Sequence, residues 1–213
     1  MKILITAGPT YERIDPVRFI GNYSSGKMGY AIADACADAG HEVTLVSGPV
    51  QIKPVNPNVM VVKVESAAQM LDAVMKYFPA ADGAVLCAAV ADFTPISVAD
   101  KKIKREGDNL VIELKPTADI AATVGKAKKD NQFLVGFALE TNDEEAHAID
   151  KMRRKNLDFI VLNSLNDKEA CFGYDTNKIT IIRNTGEMKR FPLKSKKLVA
   201  LDILNEINSI CIK

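Results

Sequence analysis

Two short apolar runs bracket a stretch of helical spacing at the start of this chain, and that arrangement leaves little choice of fold. Ile3-Leu4-Ile5-Thr6-Ala7 stops at Gly8-Pro9, and His41 to Val46 stops at Ser47-Gly48-Pro49. Between them Met28, Ile32, Ala35, Cys36 and Ala39 recur at helical intervals, and Gly40 ends the pattern. Short apolar runs closed by turn residues fit strands buried on both faces. Two such strands joined through a helix run parallel, with a right-handed crossover.

The same rhythm continues. Val59–Val64, Gly83–Ala89, Phe133–Phe137 and Leu157–Leu162 read as further strands. Ser66 caps a helix to about Phe78, Thr117 one to about Lys128, and Asn142 with Glu145 forms a capping box for one ending at Lys155. Ser195 caps a last helix carrying Leu198, Leu201, Leu204 and Ile207. Strands alternating with helices predict an α/β, Rossmann-like, doubly wound and mostly parallel sheet. One domain over residues 1–213 is expected.

Three stretches break the rhythm. Thr10 to Tyr23 shows no period, and a loop that long in a compact domain is more often functional than idle. Asp92 to Lys115 carries Lys101, Lys102, Lys104 and Arg105 and reads as a flap leaving the sheet, with Asn109–Leu114 as a strand within it. Residues 175–191 read as a β-hairpin turning at Asn184-Thr185-Gly186.

Composition excludes several classes. The net charge of +1 gives no support to a diffuse nucleic-acid or membrane surface. No apolar run reaches the roughly 18 residues of a membrane span. The N-terminus opens directly on a strand pattern, unlike a signal peptide, so a soluble cytoplasmic protein is expected. Cys36, Cys87, Cys171 and Cys211 lack metal or redox spacing and read as reduced thiols, and His41 and His147 are too few and too distant for a zinc site.

Ligands of such sheets lie beyond the carboxyl ends of the strands. That gathers Gly8–Gly29, Ser47-Gly48, Ala88–Pro95 and Ala138–Asn142 around one site. The glycine-rich turn Gly21 to Gly29 opens a helix, where backbone N–H groups can cradle an anion. A P-loop reading fails at position 28, where Met replaces the hydroxyl that would ligate Mg²⁺. A nicotinamide-cofactor reading fails at the end of the second strand, Val46-Ser47-Gly48, which has no acid for a ribose.

A more specific signal is a series of blocks in order. They are Ile5-Thr6-Ala7-Gly8-Pro9-Thr10, Ile14–Ile20, Asn22-x-Ser24-Ser25-Gly26-Lys27-Met28-Gly29, Ala88–Phe93, Lys102-Ile103-Lys104, Val135–Thr141 and Lys155–Asp158. The chain thereby resembles phosphopantothenate–cysteine ligase of coenzyme A biosynthesis, over nearly its whole length. The resemblance implies a ligase that joins 4′-phosphopantothenate to L-cysteine through an acyl-cytidylate, with CTP as co-substrate and Mg²⁺ accompanying it. ATP in place of CTP stays open. It assigns catalytic roles to Asn22 and Lys102, and phosphopantothenate contacts to Arg18 and Asn22. Nucleotide contacts fall on Leu86, Cys87, Ala88, Asp92, Lys102, Ala118, Asp119, Ile120, Ala121, Phe137, Lys151 and Lys155. In this assignment Asn22 donates to the acyl oxygen, while Lys102 neutralises phosphate charge. For Arg18, an ion pair with Asp15 is the structural alternative.

Many bacterial members of that family carry a flavin-dependent decarboxylase domain ahead of the ligase, and this chain begins at the ligase part. A stand-alone synthetase, with no flavin, is therefore expected. A homodimer is implied, meeting through the flap and hairpin regions. The alternatives are an NAD(P)-dependent short α/β reductase and a non-catalytic nucleotide-binding module.

Overall fold

The computed structural model describes residues 1–105, 107, 109–140, 142–164, 166, 170 and 173–211, and only the backbone of Glu140. Thr141 and Cys171, both invoked above, lie outside the described residues. In chain order the elements are β1 (Lys2–Ala7), β2 (Tyr11–Arg13), β3 (Phe19–Gly21), α1 (Lys27–Asp38), β4 (Glu42–Ser47), β5 (Met60–Lys63) and α2 (Ala67–Tyr77). Next come β6 (Gly83–Leu86), β7 (Phe93–Pro95), β8 (Leu114–Pro116), α3 (Ile120–Ala127), β9 (Phe133–Glu140), α4 (Glu144–Arg154) and β10 (Phe159–Ser164). The chain closes with β11 (Thr176–Asn177), β12 (Thr180–Arg183), β13 (Met188–Arg190), β14 (Lys194–Ser195) and α5 (Lys196–Cys211).

Eight strands form one sheet in the order β13-β12-β10-β9-β6-β1-β4-β5. The six from β10 to β5 are parallel. From the β1–β6 seam the chain winds outward one way through β4 and β5 and the other way through β9 and β10. This is the expected Rossmann-like, doubly wound order, and the seam is its switch point.

Strand alternation divides the core. Ile3 and Ile5 of β1 pack with Ile32 and Cys36 of α1 and with Ile203 and Ile207 of α5. Leu4, between them, faces Met70 and Val74 of α2, Val124 of α3 and Met152 of α4. Ser66 starts α2 with a full capping box, its hydroxyl accepting from the Gln69 N–H while the Gln69 side chain accepts from the Ser66 N–H. Such a cap is worth about 1 kcal/mol.

Several local expectations are corrected. Thr10–Tyr23 is not irregular throughout. Strands β2 and β3 pair antiparallel, and the Tyr11 and Phe19 rings stack at 3.8 Å. Three-residue strands are too short to display a period. In the flap the paired residues are Leu114–Pro116 against Phe93–Pro95, so of the expected strand Asn109–Leu114 only Leu114 lies in one. Its apolar alternation reaches water: Leu110 and Val111 are exposed.

Thr117 does not cap α3. Asp119 does, accepting from the Ala122 N–H at 2.9 Å, and the Thr117 hydroxyl donates to the Ala91 carbonyl instead. Asn142 does not cap α4 either. Asp143 occupies that position at φ 45°, and Glu145 pairs with Arg190. The hairpin expected within residues 175–191 is present as β12 and β13, and β12 also pairs antiparallel with β10, so the hairpin extends the main sheet. On α5, Leu204 and Ile207 are buried, but Leu198 and Leu201 face solvent and Val199, Ala200 and Ile203 take their place.

Candidate active site

At the switch point the carboxyl ends of β1, β6 and β9 lie side by side, and a cleft of about 590 Å³ opens there. It is lined by Thr6 at β1, Leu86–Val90 beyond β6, and Gly136–Leu139 of β9. Asn22 and Ser24–Met28 contribute from the turn before α1, Thr117–Ala121 from the start of α3, and Lys151 and Lys155 from α4. Asp92, Leu157, Asn163, Asn177 and Lys196 complete the lining.

The glycines act first as points of close approach. A Cβ on Gly48 would lie 1.6 Å from the Pro9 carbonyl oxygen, and one on Gly29 would lie 2.6 Å from the Ala7 Cβ. Gly26 takes a left-handed φ of 76° as the N-cap of α1 and sits against Gly8 and Val50. So the turn is glycine-rich chiefly because three backbone segments touch. No acidic residue occupies the first turn of α1, whose first residue is Lys27.

Both rejected fingerprints have a structural counterpart. Met28, where a P-loop needs a hydroxyl, is buried with its sulfur 3.8 Å from the Asn177 amide nitrogen. Ser47, at the end of β4, is buried and closed off. Tyr30 donates to its hydroxyl at 2.9 Å, and Ser47 in turn donates to the Gly48 carbonyl. No acid stands there for a ribose hydroxyl, which speaks against a dinucleotide reductase.

The cleft gathers Asn22, Leu86, Cys87, Ala88, Asp92, Ala118, Asp119, Ile120, Ala121, Phe137, Lys151 and Lys155 from widely separated parts of the chain. Asn22 gives its side-chain amide to the Ala89 and Val90 carbonyls, at 3.0 and 3.1 Å. With both amide hydrogens used, Oδ1 is the group it has left to offer, and that is an acceptor rather than the expected donor.

Asp119 pairs with Lys155 at 2.8 Å. Burial pushes the Asp119 carboxyl up, but hydrogen bonds from Lys155 and the Ala122 N–H, with the Lys151 charge, hold it below its usual range. The Lys155 backbone is pressed against α3, where a Cβ on Gly125 would lie 2.0 Å from the Lys155 carbonyl oxygen. The neighbouring Asn156 side chain donates to the Gly125 carbonyl. Burial also pushes the Cys87 thiol up to about 12, against the pull of the Lys196 charge, so this cleft thiol stays protonated.

Arg18 and Lys102 lie outside the cleft lining. Arg18 is paired with Asp15, whose side chain is fully buried, and donates to the Ile103 carbonyl at 2.9 Å. Asp15 also accepts from the Ile103 N–H, and Ala99 donates to the Ile14 carbonyl. The ion pair weighed as the structural alternative is therefore present, and it fastens the flap to the β2–β3 turn. Lys102, one residue before that anchor, is exposed.

Lys27, Asn163, Asn177 and Lys196 line the cleft without having been assigned a role from the sequence, although Lys27 stands within the glycine-rich block. The available signal was position. Lys27 directly follows the helix-starting Gly26, and Lys196 opens α5. Among the described residues no group of three or more His, Cys, Asp or Glu side chains comes together to hold a metal. Among the same residues no helix is long and apolar enough to cross a membrane.

Fold and cleft together define a Rossmann-like α/β protein with a cleft over the switch point, shaped by alanines and carrying lysines. The chain belongs to the family described as the DNA/pantothenate metabolism flavoprotein C-terminal domain, whose profile matches residues 1–210. Over 206 residues it is 57% identical to a protein of an unknown prokaryotic organism named cysteine/cysteine sulfinic acid decarboxylase, covering 97% of this chain and 57% of that one. Over 208 residues it is 46% identical to the coenzyme A biosynthesis bifunctional protein CoaBC of Bacillus subtilis (strain 168), covering 98% and 51%. Among solved structures, the C-terminal domain of a CoaBC protein superposes with a TM-score of 0.83 at 45% identity, covering 98% of this chain and 94% of that domain. The chain spans about half the length of the curated relatives it matches.

Proposed function

We propose that this chain is a phosphopantothenate–cysteine ligase that activates its acid with CTP. The observation carrying this reading is the convergence of residues that the resemblance assigns to substrate and nucleotide. Asn22, Asp92, Asp119, Phe137, Lys151 and Lys155, dispersed along the chain, line one cleft over the switch point. Membership of a family that includes relatives named for coenzyme A biosynthesis supports the same reading.

In the first step a carboxylate oxygen of 4′-phosphopantothenate attacks the α-phosphorus of CTP. The bond from that phosphorus to the bridging oxygen breaks, and pyrophosphate departs with the electron pair. Lysine cations offset charge accumulating on the phosphates. Lys151 and Lys155 already line the cleft, and Lys102 reaches the triphosphate as the flap closes. A Mg²⁺ accompanying the nucleotide would offset phosphate charge and would take its ligands mainly from phosphates and water, since Asp119 is committed to Lys155 and to its cap.

In the second step the cysteine amine attacks the acyl carbon and displaces CMP. Asn22 positions that amine through Oδ1, which accepts one of its N–H groups. Arg18 holds the flap and meets the substrate phosphate only when freed from Asp15. The protein acts as a cytoplasmic homodimer. Exposed Val17 and Phe19 near the β2–β3 turn, with Phe93, Ile96, Val98 and Leu114 of the flap, supply the apolar face for that contact.

Pyrophosphate release tests the reading. With phosphopantothenate, Mg²⁺ and CTP, a burst near one equivalent per site is expected without cysteine and steady release with it. Release with ATP and not CTP would correct the nucleotide. No release with either would overturn the ligase reading.

A further inference from the structure

Resting on that reading, we infer that Lys27 and Lys196 form a phosphate-holding pair in the cleft, and that Asp175 is the exchangeable counter-ion keeping Lys27 in place until a phosphate takes over. Both lysines line the same cleft as the nucleotide candidates, yet they come from elements far apart in sequence, the first residues of α1 and α5. They are not idle surface lysines. Lys196 is buried to 7% exposure and donates to the Tyr174 carbonyl. Lys27 is about one-third exposed and reaches Asp175 at 2.6 Å.

Asp175 is the unusual member. Its side chain is 85% exposed, so it does not owe its pairing to being trapped. The hydrogen bond and charge of Lys27, helped by Lys196, hold its carboxyl below the usual range. The backbone of Lys196 also donates to the Asp175 carbonyl at 2.9 Å. The Lys27 ammonium thus pairs with an exposed carboxylate at the rim, and the Lys196 charge also acts on that carboxylate. A solvated carboxylate on a lysine contributes little binding energy in water. A phosphate chain carries more charge and more acceptors, so it displaces the carboxylate readily. Lys196 lines the same cleft as Cys87, just past the end of β6.

The chemistry fits the pyrophosphate half of the nucleotide. In the proposed first step negative charge grows on the leaving pyrophosphate, and paired ammonium groups stabilise it there. Asp175 then recaptures Lys27 as pyrophosphate departs, lowering the cost of product release. The exchange breaks no covalent bond and needs no additional reactant.

Calorimetric titration of the intact chain with Mg²⁺-pyrophosphate and with Mg²⁺-CTP tests this in a double-mutant cycle. Asp175→Asn is expected to tighten both ligands by about threefold or more, because no carboxylate has to be displaced. Lys27→Met is expected to weaken both by about tenfold, and in that background Asp175→Asn gives no further gain. Lys196→Met is expected to weaken pyrophosphate at least as much as CTP. Unchanged or weaker binding by Asp175→Asn overturns the inference, and so does an equal gain in the Lys27→Met background. If the wild-type chain binds neither ligand, this inference and the ligase reading fall together. If it binds and releases pyrophosphate while the variants behave like wild type, this inference alone falls.

Discussion

Asn22 joins parts of the cleft that lie 67 and 68 residues apart in the chain. Its Nδ2 spans two successive carbonyls, so the residue both fastens the glycine turn to the cleft and aims Oδ1 away from them. A residue with that geometry positions an incoming group rather than neutralising an oxyanion. Asn22→Ala is therefore expected to leave acyl-nucleotide formation largely intact and to slow amide formation by about 10²-fold, comparable to losing one transition-state contact. Quenched-flow separation of the two half-reactions checks this. Equal slowing of both steps would show that the substitution has merely loosened the turn. Sequence pattern identified the residue but not the atom, since nothing in a motif tells which end of an amide is already engaged. It gave no role to Lys27 or Lys196 for a related reason: a lysine at a helix start looks solvated until the fold shows what it faces.

At the scale of elements, the flap is governed by one buried carboxylate. Asp15 accepts from the Val17, Arg18 and Ile103 N–H groups and pairs with the Arg18 guanidinium. The Arg18 hydrogen bond, with those backbone donors, outweighs burial and holds the Asp15 carboxyl far below the usual carboxylate range. A carboxyl depressed in the folded state contributes its full stability above its unfolded pKa of about 3.9 and loses it as pH falls below that value. Hydrogen exchange at Ala99 and Ile103 is therefore expected to accelerate below about pH 4, relative to β6 amides, after correction for intrinsic exchange. Asp15→Asn should produce the same loosening at neutral pH, and unchanged exchange there would contradict the anchor. The main strands and helices were legible because burial on both faces writes long apolar runs. The helix starts at Asp119 and Asp143 were not. Thr117 and Asn142 are equally good caps by residue type, and only the tertiary partners, the Ala91 carbonyl for Thr117 and Arg190 for Glu145, decide between them. The three-residue strands of the flap and the two-residue pair β11–β14 carry too little pattern to be read, whereas the β12–β13 hairpin was legible from its Asn184-Thr185-Gly186 turn.

Over the whole molecule, the strand order places the motif blocks, because a doubly wound sheet brings the ends of β1, β6 and β9 together. That is why a chain with scattered alanines, aspartates and lysines presents one cleft, and why the fold was easier to anticipate than the Ile103 carbonyl that Arg18 also meets. The ligase account rests on activation of a carboxylate by nucleotidyl transfer in that cleft. The most direct measurement uses 4′-phosphopantothenate labelled with ¹⁸O in its carboxylate, CTP, Mg²⁺ and cysteine, with mass analysis of the products. The account predicts one labelled oxygen in the CMP phosphate for each amide formed. Label in inorganic phosphate, or unlabelled CMP beside formed amide, would contradict it.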